Sequence, residues 1–349
     1  MKTSFLFFAA LLCGIIQSRA TQLTLSNDVG GTAQYTTIQA AIQAAQPNDT
    51  ILVQGSPISY GDFELNKAVS IIGPGHHPTA LGAYSAVFGT CYTYQSSSGA
   101  RLIGLDLAMC RQALQDPTQL LDNFIIRNCR LNTLSFYMLT SNCIVEGNFL
   151  GTVEMNSVIG CEMIYRNNVF LNVNQSPYPQ ISNVNSAVIF DHNNFMSINS
   201  GCYPFENVRQ ATISNNIFQF LNLSTSGAMS NSFYNCNVMN NAAFACNDNL
   251  PGANNAGSGN LNGTYPDFVN YPGTPAAFNW AFDLHLQANS PLLGAATDGT
   301  QIGIYGGNYI FHASGEPIGM PSMNSLNISN VAVPVNGMLN VNFTAEPAE

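Results

Sequence analysis

The sequence predicts an all-β solenoid of stacked parallel strands, and three observations carry that prediction. First, a short phrase recurs between Ile125 and Phe218: apolar residues, a polar residue, one or two Asn, then a large apolar residue. It reads Ile126-Arg127-Asn128, Val145-Glu146-Gly147-Asn148-Phe149, Tyr165-Arg166-Asn167-Asn168-Val169-Phe170, Asp191-His192-Asn193-Asn194-Phe195 and Ile213-Ser214-Asn215-Asn216-Ile217-Phe218. Second, aligning Arg127, Glu146, Arg166, His192 and Ser214 gives steps of 19, 20, 26 and 22 residues, the uneven period of a solenoid coil. Third, 43 of the 349 residues are Asn, too many for individual chemical roles. Asn tolerates the left-handed backbone angles of a tight corner, and at the roughly 4.8 Å strand spacing its amide can donate to and accept from its neighbours along the axis.

The elements follow in order. Residues 1–20 read as a secretory signal, with Lys2, an apolar run from Phe5 to Ile16, and Ser18-Arg19-Ala20 as a small-x-small cleavage site. Thr36-Thr37 followed by Ile38, Ala41 and Ile42 at helical spacing predicts one helix, stopped by Pro47-Asn48-Asp49 and placed to plug the open end of the first coil. Thr50-Ile51-Leu52-Val53 and Val69-Ser70-Ile71-Ile72-Gly73 are the first strands. Three stretches are too long and irregular for a coil, at 76–99, 174–185 and 247–279, and loops of this kind shape any groove on a strand face. The solenoid domain is assigned to 21–310. Beyond it, 311–349 reads as a Pro-containing linker and a two-strand tail, expected to pack on the last coil as a cap, with attachment to the cell surface or a partner as the alternative.

Thr37-Ile38-Gln39-Ala40-Ala41-Ile42-Gln43-Ala44-Ala45, Pro47-Asn48-Asp49-Thr50-Ile51-Leu52-Val53 and Ser70-Ile71-Ile72-Gly73 together resemble the opening of right-handed parallel β-helix proteins of the pectin-lyase-like superfamily. The Asn-rich coils continue the resemblance to about Asn241. Asn289-Ser290-Pro291 through Asp298-Gly299 to Ile302-Gly303-Ile304-Tyr305-Gly306-Gly307 is similar to the closing segment of its secreted bacterial members, so about residues 22–310 are covered. The resemblance implies the fold. It does not choose an activity, because the superfamily holds lyases, hydrolases, epimerases, adhesins and proteins without known chemistry. The polygalacturonase-like set of close Asp residues with Gly-His-Gly and Arg-x-Lys is absent. Pectate-lyase-like chemistry needs basic residues opposite clustered acids, and Lys67 is the one Lys after residue 20.

Composition narrows the ligand. Without the signal, seven Lys and Arg face nineteen Asp and Glu, a formal charge near −12. Nucleic acid is disfavoured, since phosphate binding needs a basic stripe. A polyuronate is disfavoured too, unless Ca²⁺ screens the repulsion, and Ca²⁺ is the one cofactor the composition leaves open. An extracellular polysaccharide or cell-surface glycan of neutral character fits better. No later apolar run reaches the roughly 18 residues of a membrane span. Eight Cys follow the signal, and Cys236 with Cys246 is the most local disulfide pair, whereas Cys129, Cys143 and Cys161 sit where a small buried hydrophobe would.

The sharpest constellation is Arg127, Glu146, Arg166, Asp191 and His192. If these share one face they form a polar strip, either a ladder of ion pairs or a site in which Arg meets substrate charge and the carboxylates act as acid and base. Asp191 and His192 can cooperate only if a corner falls between them. Asp106 could extend the strip beneath Arg127. His76-His77 reads as surface loop, His285 as a buried residue, Asp298-Gly299 as a closing turn and Trp280 as core beside Phe278 and Phe282. Tyr84, Tyr92, Tyr94, Tyr178 and Tyr203, in or near the long loops, are the candidate sugar platforms. The reading that follows is a secreted or cell-surface protein that binds glycan or another surface through a strand face and its loops without catalysis. A polysaccharide lyase or glycoside hydrolase using the strip, or a purely structural rod, are the alternatives.

Overall fold

A computed structural model describes residues 20–28, 31–77, 84–113, 118–137, 139–155, 161–172, 181–184, 187–197, 203–221, 223, 233–309, 311–317, 322–328, 338 and 341–346. The signal segment and Tyr178 lie outside these residues. Among them, two long parallel sheets run the length of the solenoid, one of ten strands and one of twelve. Each strand pairs with its counterpart one coil away, so the chain is a parallel β-helix. The ten-stranded sheet begins at Gln22–Leu25 and ends at Asn237–Met239, and the twelve-stranded sheet spans Phe63–Leu65 to Leu261–Asn262.

Alternation explains the interior. In the ten-stranded sheet Ile126, Val145, Tyr165, Phe190 and Ile213 stack in register and are fully buried or nearly so. Across the interior Phe170, Phe195 and Phe218 form a column with ring centroids 4.5 and 4.8 Å apart. The helix is Ile38–Ala44, with the Thr37 hydroxyl accepting from the Ala40 amide, and it buries Ile38, Ala41 and Ile42 against the first coils. The predicted helix and its Thr cap are therefore observed. The tail strands are Ser322–Ile328 and Val341–Glu346, paired antiparallel with each other.

Between the two sheets the chain turns a corner at a left-handed residue. Gly104, Asn128, Gly147, Asn167, His192, Asn215 and Asn240 occupy it in successive coils, with φ between 49° and 68°. The next position points inward, and there Asn148, Asn168, Asn193, Asn216, Asn241 and Asn260 form a chain. Each of the first five donates from Nδ2 to the Oδ1 of the next at 2.9–3.0 Å, and each of those Oδ1 atoms also accepts the backbone N–H one coil before. Every Nδ2 further reaches a backbone carbonyl, such as Ile126 O from Asn148. A buried amide is tolerated only when its donors and acceptor are satisfied, and the coil repeat supplies the partners automatically.

A second apolar cluster lies outside the solenoid. Phe149, Val169, Met196 and Ile217 project outward from the twelve-stranded sheet and are covered by residues of 264–311, among them Phe268, Tyr271, Leu284, Leu292, Ile302 and Phe311. Phe278 and Trp280 are partly buried at its edge, so Trp280 belongs to this outer cluster rather than to the interior of the coils. Cys236 and Cys246 are not bonded to each other. Cys236 contacts the carbonyls of Val208 and Tyr234 and Cys246 those of Phe218 and Phe244, which replaces the disulfide expected between them.

Candidate functional site

Two polar strips run along the outside of the coils, and the structure treats them differently. The first lies on the ten-stranded sheet. Register places Arg127, Glu146, Arg166, Asp191 and Ser214 opposite one another in successive coils. The column expected to contain His192 therefore contains Asp191, one residue earlier. His192 is the left-handed corner residue, a position that His, like Asn, can adopt. Asp106 does not lie beneath Arg127, because Ile103 does. Asp106 pairs with Arg130 on the other sheet, 3.8 Å away as an ion pair.

Glu146 has no exposed side-chain surface and is held from both sides. Arg127 Nε donates to Oε1 at 2.6 Å and its second nitrogen also binds Oε1, while Arg166 donates two nitrogens to Oε2, each at 2.6 Å. Both carboxylate oxygens are thus occupied by fork-shaped donors. Asp191 Oδ1 accepts from Ser214 and Asn215 at 2.7 and 2.8 Å, and Oδ2 lies 3.0 Å from His192 Nδ1. Burial acts to raise the Asp191 pKa, but the His192 contact and the two other bonds outweigh it and hold the carboxyl below its usual range.

The closing segment, residues 290–309 and 311–316, runs back along the corner column and covers it. Asn240 donates to Ala295 O, Asn215 exchanges bonds with Thr297, and Asn167 donates to Ile304 O and Gly306 O at 2.9 and 2.8 Å. His192, 2% exposed, sets Nε2 3.3 Å from Thr300 Oγ1 and 3.8 Å from Asp298. Tyr309 bonds Asn128 through its hydroxyl and lies under the Arg127 guanidinium, 5.8 Å from Cζ to ring centroid. Gly147 is the corner residue beneath that ring, and any Cβ there would come within 2.6 Å of it. Finally Asn128 donates to Glu316 O, and the amides of His76 and His77 donate to Ser314 O. The strap thus binds the corner side chains that the sequence repeats.

The second strip lies on the twelve-stranded sheet. Glu64, Tyr92, Arg111, Ser135, Glu154, Ser182 and Glu206 stand in register over seven coils, a span of about 29 Å at the usual strand spacing. Tyr92, Arg111, Glu154 and Glu206 are partly exposed. Glu154 accepts from Ser135 Oγ at 3.2 Å and from Tyr137 Oη at 3.1 Å, and the Nε of Arg111 is shielded without a hydrogen bond. Two of the sequence-predicted tyrosines thus belong here: Tyr92 in the column itself and Tyr94, beside Glu64, two residues further on. Tyr203 precedes the Phe205–Glu206 strand at the far end and is half-buried. Tyr84 is 60% exposed but lies at another edge, against Gly55.

Sequence reasoning missed Arg111, Ser135, Tyr137, Glu154 and Glu206. A usable signal existed: Tyr92, Arg111, Ser135 and Glu154 each fall six residues after the inward corner positions Ala86, Leu105, Cys129 and Asn148. The other histidines also differ from expectation. His76 is fully buried rather than a surface-loop residue, and His285 is exposed, bonded to Asp283 at 2.6 Å and stacked on Tyr305. Among the described residues no three His, Cys, Asp or Glu side chains converge as a cation site.

No protein-family model and no curated protein matches the chain. Among solved structures it is similar to that of pectate lyase Pel9A, with a TM-score of 0.45 and 13% identity over 83% of this chain and 97% of that one. A likeness that distant does not transfer an activity, and the parallel β-helix stands on the strand pairing of the chain itself.

Proposed function

We propose that this is an extracellular or cell-surface β-helix protein that binds a linear, largely neutral glycan along the strip from Glu64 to Glu206, without cleaving it. The observation that carries the reading is the seven-coil register in which exposed or partly exposed Glu64, Tyr92, Arg111, Glu154 and Glu206 stand in one column with buried Ser135 and Ser182. Tyr92 offers a ring face, and Arg111, Tyr137 and Glu154 offer donors and acceptors on successive coils, which suits a polymer lying along the axis. Three acids against one base in the strip favour a neutral chain over a polyuronate. The Arg127–Glu146–Arg166 set is a structural clamp: hydrolytic acid/base chemistry needs a carboxyl that can exchange a proton with substrate, and both Glu146 oxygens are committed beneath Tyr309. Secretion is supported by the signal-like residues 1–20. No described helix is long and apolar enough to cross a membrane.

The test is affinity electrophoresis of the purified chain through gels containing β-glucan, xylan, mannan or polygalacturonate, with reducing ends and unsaturated products assayed in parallel. Retardation by a neutral polymer, lost in a Tyr92→Ala/Arg111→Ala double variant, is the expected result. Release of sugar products, or retardation that survives the double variant, would sink the reading.

A further inference from the structure

The loop that closes the outer apolar cluster leaves a cleft of about 150 Å³ between itself and the twelve-stranded sheet. Its floor is Phe149, Leu171 and Met196, and its roof is Phe278 and Trp280, whose rings meet at 87°. A cavity of this volume holds one six-membered ring. Arg130 is the one cationic side chain in the lining, and its only ion-pair partner among the described residues, Asp106, stands off at 3.8 Å. Burial raises the Asp106 pKa against the pull of Arg130. Behind the cleft, His76 packs its ring 5.0 Å from Phe149 and 5.5 Å from Trp280, with neither ring nitrogen hydrogen-bonded. Burial above all, then the charges of Arg130 and His77, bring its pKa down to about 3, so it adds no charge there.

We propose that this cleft is a binding site for a small aromatic carboxylate, its ring held between the floor and Trp280 and its carboxylate on Arg130. The walls decide the ring. A hexose carries a hydroxyl on nearly every carbon, and most of the lining is aromatic or aliphatic, so several hydroxyls would be buried without partners. A flat aromatic ring has no such penalty and gains edge and face contacts with Phe149, Phe278 and Trp280. The charge decides the substituent, since a carboxylate matches the fork of a guanidinium. This site is separate from the glycan strip, and the proposal stands whether or not the strip binds glycan.

Trp280 is the single Trp of the chain, so its fluorescence reads this cleft directly. Benzoate, benzyl alcohol and glucuronate are titrated at constant ionic strength into the full chain, Arg130→Gln and Leu171→Phe. Benzoate is expected to shift the Trp280 emission saturably, with benzyl alcohol needing at least about tenfold more, the worth of a charge-assisted hydrogen bond. Arg130→Gln should bring the two ligands together, and Leu171→Phe, which fills the floor, should weaken both. A flat response to benzoate overturns the proposal, as does benzyl alcohol matching it in the unaltered chain. Glucuronate outcompeting benzoate would make the cleft a sugar site. These comparisons use the unaltered chain, so they decide the matter even if a variant fails to fold.

Discussion

The two outer strips use the same chemistry, arginine and carboxylate in one column, yet they differ at the central carboxylate, enclosed in one and partly exposed in the other. On the ten-stranded sheet Glu146 is fully enclosed, clamped by Arg127 and Arg166 and roofed by Tyr309. On the twelve-stranded sheet Glu154 is partly exposed and bonded only by Ser135 and Tyr137, with Arg111 two coils away. The difference is the strap. Residues 290–309 and 311–316 follow the left-handed corner, because the corner side chains are hydrogen-bonding groups repeated at a fixed place, and in the strip beside that corner Glu146 is enclosed while Arg127, Arg166 and Asp191 stay partly exposed. Residue type alone does not mark a site; what lies over it decides.

The comparison breaks most visibly in stability. Glu146→Ala leaves two guanidinium groups facing a hole, and removing one partner of a buried ion pair costs about 3–5 kcal/mol, whereas Glu154→Ala should cost under about 1 kcal/mol. Urea denaturation of both variants checks it, and equal midpoints would mean that Glu146 is not a clamp. Next in size is Asn193→Ala. It removes the acceptor used by the Asn168 backbone and side chain and should cost about 1–3 kcal/mol, against little change for Asn132→Ala on the exposed face.

Acid titration reads two of the enclosed groups. His76 is held neutral when folded, with its pKa depressed from 6.5 to about 3. The unfolded chain therefore binds a proton in that window that the folded chain refuses. Stability from this group is complete above about pH 6.5 and falls toward pH 3, by up to about 1.4 kcal/mol per pH unit. His76→Leu should flatten that part of the profile. Asp191, also depressed, contributes at lower pH: its stabilisation is present above the ordinary carboxylate range and is lost as pH falls below it, so Asp191→Asn should shrink the acid limb that remains, the rest coming from Asp49, Asp283 and Asp298. Thermal melts between pH 3 and 8 measure both slopes, and a profile unchanged by either variant would contradict these assignments. The smallest expected effect is that of Arg111→Ala on folding, within about 0.5 kcal/mol.

The fold was legible because a solenoid repeats its structural demands in sequence: each Ile-polar-Asn phrase is one strand end and one corner. The strip was legible to within one residue. Aligning His192 with Arg166 ignored that His can take the left-handed corner, and the register slips back to Asp191. The open column was harder to see because its strands do not alternate. Gly89-Thr90, Ala108-Met109, Asn132-Thr133 and Gly151-Thr152 are consecutive non-buried pairs, and they reverse the parity before Tyr92, Arg111, Ser135 and Glu154. The strap was invisible, since Tyr309 meets Asn128 across 181 residues and nothing local announces such a contact.

The most direct test of the division between clamp and binding face compares Arg166→Ala with Arg111→Ala, each measured for urea midpoint and for retardation by the polysaccharide that slows the unaltered chain. Arg166→Ala should lower the midpoint and leave the retardation of the folded protein intact, while Arg111→Ala should keep the midpoint and lose retardation. If folded Arg166→Ala loses its grip on the polymer while Arg111→Ala keeps it, the functional face is the strip around Glu146 and the account is wrong.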